Sequence, residues 1–384
     1  MGEIVGSKSG ISSKNEYLVP DYYKYFSCKG KECRYTCCSG WKVTIPMNEY
    51  FKLHGITCNK KLRENIDRTF RTLPDFTPER YAEIIHNSFG ECPLLLANGY
   101  CNLHSQLGEE VLPSVCRYYP RGPKVDYAFE CSTTNSCERT LELLFETDDL
   151  ISFEKRRIEL KIPLSLGKVK ADEKLIYESV RTFVFKILQD RTVSLPDRIL
   201  KIGKVILELD GDIHTNLLEI DLSILPITKD IPYVYQIMEN VASWFIEKNP
   251  NISPFFSDIL SYLENKPIEE AYLEIEQHLS EVLPNHEIMF EKMLMNNLFF
   301  RQFPFQEFTS NFEEEFVYLC GAYLFTRYLS LGYMRDKSSI DDFVDIMARS
   351  FRVIAHFRFE RNIFQLLKLQ NAISYESLAK LIQI

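Results

Sequence analysis

The 384 residues are 45% apolar, enough to bury a core without covalent staples, so the eleven cysteines are not needed to rescue a small fold. A net charge of −9 is unevenly spread: residues 1–140 hold 18 basic against 16 acidic side chains, and residues 141–384 hold 27 against 38. With no basic stripe, the long C-terminal part is excluded as a nucleic-acid binder, while its acidic surface suits a cationic partner or is simply a solvated face.

In chain order, residues 1–17 are polar, with Gly and Ser, and read as a disordered N-terminus. They hold no apolar run of the kind that makes a signal peptide. Nowhere does the chain approach 18 uninterrupted apolar residues, so we expect a cytoplasmic protein without membrane contact. Residues 18–150 are loop-rich and carry ten of the cysteines; this is a cysteine-rich module. Within it, "CPLLLANGYCNLH" predicts a short β-hairpin, because Asn98-Gly99 tolerates the positive φ angles of a type I′ turn. That register sets Leu96 opposite Cys101 and leaves Cys92 roughly 13 Å further along the strand, too far for a disulfide between Cys92 and Cys101. A short helix around "SQLGEEVLPSVC" then carries Cys116 back toward the hairpin.

After about Leu141 apolar residues recur at helical spacing, as in "DEKLIYESVRTFVFKILQD", "SLPDRILKIGKVILELD", "IPYVYQIMENVASWFIEKN" and "EEEFVYLCGAYLFTRYLSL". Residues 151–384 therefore read as a helical domain. Caps are predicted at Ser310 or Asn311 and at Ser338 or Ser339, each ahead of an acidic first turn. The fold class is mainly α: a loop-rich N-terminal cysteine module with a short β-hairpin, followed by a C-terminal helical bundle.

In a reducing compartment dense cysteines read as metal binding or redox chemistry rather than as disulfides. The pattern is Cys28-x4-Cys33-x3-Cys37-Cys38, then Cys92, Cys101, Cys116 and Cys137. Cys-x2-Cys, the commonest zinc pairing, is absent, and an iron–sulfur cluster collects cysteines from distant segments more readily than one ion does. Zinc is the runner-up. Adjacent residues of an extended segment point in different directions, so Cys37 and Cys38 either divide into a ligand and a packing residue or serve different ions.

The segments "VPDYYKYFSCKGKECRYTCCSGWKV", "CPLLLANGYCNLHSQLGEEVLPSVCRYYPR" and "SCERTLELLF" resemble the cysteine signature of the flagellin lysine-N-methylases, within the wider YkgJ-like group of zinc- or iron-chelating domains. The likeness covers about residues 18–150, and a thinner one rests on "NLFFRQFPF" and "RSFRVIAH". It implies transfer of a methyl group from S-adenosyl-L-methionine to lysine ε-amines of flagellin, with a [4Fe-4S] cluster bound by the cysteines. The positions carried over are Cys28, Cys33, Cys37, Cys38, Cys92, Cys101, Cys116 and Cys137. Cys58, Cys131 and Cys320 fall outside the pattern.

A lysine amine near pKa 10.4 must lose its proton at a cost of roughly 4 to 5 kcal/mol at pH 7 before it can attack a methyl group. Tyr118, Tyr119, Tyr323 and Tyr328 are candidates to line an aromatic channel for it, and Glu313, Glu314, Glu315 or His356 to steer or deprotonate it. The plain alternatives are core tyrosines, a helix N-terminus and a buried imidazole. His104 is either a ligand or a packing residue, and Trp41 either walls a cofactor pocket or forms the module's small core. No Gly-rich nucleotide-binding fingerprint is present. Two other functions compete: a non-catalytic iron- or zinc-binding module in an interaction protein, and a thiol redox sensor built on Cys37 and Cys38.

Overall fold

A computed structural model describes residues 13–160, 169–248, 267–305 and 311–384. The N-terminal part runs β1 (Ser13–Pro20), β2 (Thr44–Ile45), α1 (Met47–Gly55), α2 (Lys60–Thr69), β3 (Phe70–Thr72), β4 (Ala82–Ile84), α3 (Asn102–Leu107), α4 (Ser114–Tyr118), β5 (Arg121–Lys124), β6 (Glu130–Thr133), α5 (Glu138–Phe145) and β7 (Phe153–Leu160). Two sheets result. One has the order β2-β4-β3 and is antiparallel. The other, β5-β6-β1-β7, sets β1 parallel to β6 and antiparallel to β7, from Ser13 opposite Leu160 to Pro20 opposite Phe153. Alternation explains β1: Tyr17 and Val19 point into a small core with Tyr23, Val125 and Cys131.

The helical part comprises α6 (Ala171–Leu188), α7 (Leu195–Gly211), α8 (Ile231–Lys248), α9 (Ile268–Val282), α10 (His286–Arg301), α11 (Phe312–Met334), α12 (Ile340–His356), α13 (Phe359–Leu369) and α14 (Tyr375–Leu381). Every residue of α11 from 315 to 332 is buried, which makes it the axis of the bundle. Its start is fixed by the Asn311 side chain, which accepts from the Glu314 amide at 2.9 Å. Close approach to neighbours needs glycine at two places: Gly203 of α7 lies against the Phe316 ring, and a Cβ on Gly321 would stand 2.6 Å from Ile363 Cγ1. No helix among the described residues is long and apolar enough to cross a membrane.

α12 has two faces. Phe343, Ile346, Met347, Phe351 and Ile354 enter the bundle core. Asp345, Arg349, Arg352 and His356, spaced four, three and four residues apart, form a second stripe turned toward the cysteine module. Arg34 Nε donates to Asp345 Oδ1 at 2.7 Å, the Arg349 guanidinium lies 3.2 Å from the Tyr35 ring centroid, and the His356 ring packs on Trp41.

The mainly α architecture agrees with the sequence reading, and the four quoted helical stretches lie in α6, α7, α8 and α11. Several details differ. Ser13 to Tyr17, within the segment expected to be disordered, are strand because β7 supplies a pairing partner; residues 1–12 lie outside the described residues. β7 itself falls inside the stretch assigned to the helical domain. At the expected hairpin only Gly99 has positive φ, at +82°, so Leu95 rather than Leu96 pairs with Cys101. The helix around "SQLGEEVLPSVC" is broken by Gly108, at φ +84°, into α3, a 3-10 turn and α4. Ser339 caps α12 through the Asp341 amide at 3.1 Å, while Ser310 lies outside the described residues.

Candidate functional site

Seven cysteines line one cavity of about 170 Å³ in the N-terminal module: Cys28, Cys33, Cys37, Cys38, Cys92, Cys101 and Cys116. The loop carrying Cys37 and Cys38 is held on two sides. Trp41 Nε1 donates to the Cys37 carbonyl at 2.8 Å, and the Cys92 amide donates to the Cys38 carbonyl at 2.7 Å. A turn closed by the Leu95 amide on the Cys92 carbonyl at 2.9 Å reverses the chain, so Cys92 and Cys101 are neighbours, contrary to the separation expected from a straight hairpin. Cys116 is on α4, and Cys137 directly precedes α5, outside the cavity lining. All eleven cysteines are free thiols.

Glu138, beside Cys137 and outside the cavity lining, ties down the loop that carries Cys28 and Cys33. Its carboxylate accepts from the Arg34 and Tyr35 amides, both at 3.1 Å, and from Lys29 Nζ at 2.8 Å, and these partners keep its pKa below the usual carboxylate value despite burial. Arg352 of α12 pins the module's loops from the bundle: its Nη2 donates to the Tyr35 carbonyl at 2.8 Å and its Nε to the Ser136 carbonyl at 3.4 Å.

Burial pushes the Cys33 and Cys92 thiols up to about 12. Cys116 opens to solvent along the cavity, yet desolvation of its sulfur and then the charges of Cys38, Cys92 and Cys101 push its thiol well up. Cys38 goes the other way, to about 7, because Cys37 donates a hydrogen bond to its sulfur; Thr36 and the Arg352 charge help against burial. Without a cation most of these thiols stay protonated, whereas a cation would replace their protons. Among the described residues no three His, Cys, Asp or Glu side chains converge closely enough to hold a single metal ion. Seven thiols spread around one cavity, with His86 and His104 also on its lining, fit a wider inorganic group better than one tetrahedral ion.

The remaining candidates separate into two groups. Trp41 stacks on His356 at 4.1 Å between centroids and on Tyr119 at 5.5 Å, joining residues from three distant segments beside the cavity. His356 Nε2 is buried without a hydrogen-bond partner, and desolvation lowers this imidazole to about 4. Tyr119 lines the cavity and donates to the Ser136 carbonyl at 2.9 Å; His104 lines it too, as does His86, which the sequence reading passed over. Tyr118 turns away into the core around Tyr17 and Val19. Tyr323 and Tyr328 are bundle core, 5.9 Å from Phe290 and 5.2 Å from Tyr235 respectively, because α11 is buried on all sides and presents no face to the cavity. Glu313 to Glu315 form the first turn of α11. Cys131 and Cys320 are buried packing residues, and Cys58 borders the module core. Arg352 and Glu138 were missed, although Arg352 stands one helical turn before His356 and Glu138 follows Cys137 directly.

Comparison with known proteins adds the family. Residues 181–384, more than half of the chain, match the FliB lysine N-methylase C-terminal domain. A lysine-N-methylase of Salmonella typhimurium is 28% identical over 153 residues, covering 36% of this chain and 35% of the relative. Another, from Salmonella choleraesuis, is 27% identical over the same length with the same shares. The flagellar biosynthetic protein FliU of Salmonella muenchen is 29% identical over 110 residues, 27% of this chain and 60% of the relative. The matching stretch thus spans about a third of the length of either methylase. No solved structure matches.

Proposed function

The chain belongs to the family of the FliB lysine N-methylase C-terminal domain, and from that premise we propose that it is a protein-lysine N-methylase acting in the cytoplasm on flagellin, with S-adenosyl-L-methionine as methyl donor. The single observation carrying this reading is the family match over residues 181–384, supported by the likeness to lysine-N-methylases. In such a transfer the neutral ε-amine's lone pair forms a bond to the methyl carbon as the carbon–sulfur bond of the sulfonium breaks. The electron pair stays on sulfur, and the methylated ammonium then loses a proton to solvent.

In this reading the cavity cysteines hold a thiolate-bound inorganic group, a [4Fe-4S] cluster with zinc as the runner-up. Such a group supplies positive charge that neutralises the thiolates, and an iron–sulfur cluster adds one-electron chemistry. The chain's own residues do the rest. The Trp41, Tyr119 and His356 stack lies where α12 meets the module, and Arg352 fixes that junction by binding two carbonyls. A neutral imidazole and two aromatic faces form a poorly solvating wall, which favours the uncharged amine over its ammonium.

The test is to incubate anaerobically purified protein with flagellin and methyl-labelled S-adenosyl-L-methionine. We expect label on flagellin lysines, read by mass spectrometry of peptides; no label with a full complement of metal counts against catalysis. The Cys37 to Cys38 hydrogen bond favours one other reading, a thiol redox sensor, which predicts reversible loss of two thiols under mild oxidant in protein without metal.

A further inference from the structure

We propose that the groove between β7 and α6 is a docking site for the protein substrate, seating a segment that carries apolar side chains between carboxylates. The identity of that substrate, flagellin, rests on the reading above; what is added is where on the enzyme a second stretch of it is held.

The groove has a volume of about 920 Å³ and shares no lining residue with the cysteine cavity. Its sheet wall follows from register. Leu18 stands opposite Lys155 and Pro20 opposite Phe153, so Phe153, Lys155 and Arg157 alternate along β7 on the face that carries Leu18, away from the small core around Tyr17 and Val19. Its helix wall is one face of α6, where Arg181, Phe185 and Gln189 recur every four residues and Lys186 stands beside them. Phe153 stacks on Phe185 at 5.5 Å between ring centroids and joins the two walls, while Ile151, Phe183 and Leu222 extend the apolar lining.

Charge selects the occupant. Residues 141–384 carry 27 basic against 38 acidic side chains, yet the charged lining of the groove is Arg181, Lys186, Lys201 and, among the described residues, the single carboxylate of Asp190. Lys155 and Arg157 add two exposed cations along the sheet wall. The carboxylates within reach are engaged: Asp190 accepts from the Thr192 hydroxyl at 2.5 Å, Glu130 is buried on Arg181, Tyr177 and Gln302, and Glu16 stands 4.0 Å from Lys155. The cations are also spread out rather than gathered at one end. From Phe153 to Arg157 the strand runs roughly 13 Å, and from Arg181 to Asp190 the helix runs about as far. A single acidic headgroup would meet one of these cations; a polypeptide with several carboxylates and apolar side chains between them meets both walls. A contact so far from the reacting amine lowers KM without touching the chemical step, which gives an enzyme acting on exposed lysines a means of choosing its protein.

The test separates docking from catalysis. Binding of monomeric flagellin to the full chain is measured by biolayer interferometry at low and high salt, and methyl transfer in a second assay, for wild type, K155E/K186E, the milder K186A and the control K60E, which reverses an exposed lysine on α2. We expect Kd for K155E/K186E to rise at least about tenfold with a weaker salt dependence, KM for flagellin to rise in step, and kcat to stay within about twofold. K186A should lose about threefold and K60E nothing, and far-UV circular dichroism shows whether each variant folds. In parallel, p-benzoylphenylalanine in place of Thr182, an exposed residue of the lining, is photo-cross-linked in the presence of flagellin, and the captured peptide should hold apolar residues flanked by Asp or Glu. An unchanged Kd in both groove variants, or a captured peptide without carboxylates, overturns the docking site, while label on flagellin leaves the methylase reading standing. A cross-link to a second copy of the chain, or to the chain's own residues 161–168, overturns it as well. No binding by wild type overturns the docking site and flagellin as its partner together. Binding that the groove variants weaken, with no methyl transfer by wild type, supports the docking site and tells against the methylase alone.

Discussion

Among single residues, the sharpest asymmetry lies between two adjacent cysteines. Cys38 is pulled to about 7 chiefly by the hydrogen bond from Cys37, which itself is pushed well above the ordinary thiol value. In metal-free protein, iodoacetamide labelling of Cys38, located by peptide mass spectrometry, should therefore be half-maximal near pH 7. Removing the donor in Cys37→Ala should move that midpoint upward, and Arg352→Met should move it in the same direction; an unmoved midpoint in C37A would remove the hydrogen bond as the cause. His356 makes a second prediction. Its imidazole titrates near 4 in the folded chain against 6.5 as the ordinary value, so between these limits the unfolded chain binds more protons. The stability that depends on a neutral His356 is present above about pH 6.5 and is lost as pH falls through 4. Since the ring is only half-buried as a residue, the loss should be on the order of 1 to 3 kcal/mol rather than the full shift. His356→Phe preserves a ring against Trp41, and the wild-type minus variant difference in urea midpoint should shrink over that range. A difference that stays constant from pH 4 to 7 would sink this account.

For whole elements, glycine positions report how tightly α11 is wrapped. Gly321→Ala sets a methyl group 2.6 Å from Ile363 Cγ1 and should cost about 1 to 3 kcal/mol by urea unfolding. Gly211→Ala, at the end of α7 where nothing lies within 4 Å, should be neutral or gain up to roughly 1 kcal/mol from helix propensity. Equal effects at both positions would show that backbone propensity, not contact with Ile363, decides. The same element was the easiest to read from sequence, because a long apolar run after an Asn cap and an acidic turn admits few alternatives. β1 and β7 were not legible: their pairing joins residues more than a hundred positions apart, and "FEKRRIEL" offers no clean apolar alternation. The polar stripe on α12 was hidden for a related reason. Apolar periodicity finds the face toward the bundle core, while Asp345, Arg349 and Arg352 look like a solvated face until the cysteine module is placed against them. The cluster of cysteines was visible in the sequence from their density, but what holds its loops was not, since only folding brings the Glu138 carboxylate to Lys29 and to the Arg34 and Tyr35 amides.

For the molecule as a whole, the module and the bundle are joined by buried polar bonds rather than by apolar packing alone. Asn296 of α10 is 1% exposed and stands at the centre. Its Nδ2 donates to the Thr133 carbonyl at 2.8 Å and to Asn135 Oδ1 at 2.6 Å, while its Oδ1 accepts from the Tyr22 hydroxyl at 2.6 Å. Asn135 in turn donates to the Met293 carbonyl at 2.8 Å. Truncating Asn296 to Ala removes bonds to three buried partners from β6, the loop after it and the segment following β1. Each partner left without a replacement bond costs about 1 to 3 kcal/mol, so a loss of several kcal/mol is expected. The loss should also be distributed unevenly. The bundle keeps its own axis in α11, whereas the sheet loses its anchor on α10, so the shared interface no longer enforces one transition. Wild-type protein should unfold in urea with superimposable far-UV and tyrosine–tryptophan fluorescence curves, the two tryptophans reporting one on each side. In N296A, fluorescence of a Trp244→Phe background, which leaves Trp41 as reporter of the module, should change at lower urea than the helical signal. Coincident curves in that background would mean that the contact of Arg34 with Asp345 and those of Arg349 and Arg352 of α12 with the module suffice to keep the two parts cooperative without the asparagine network.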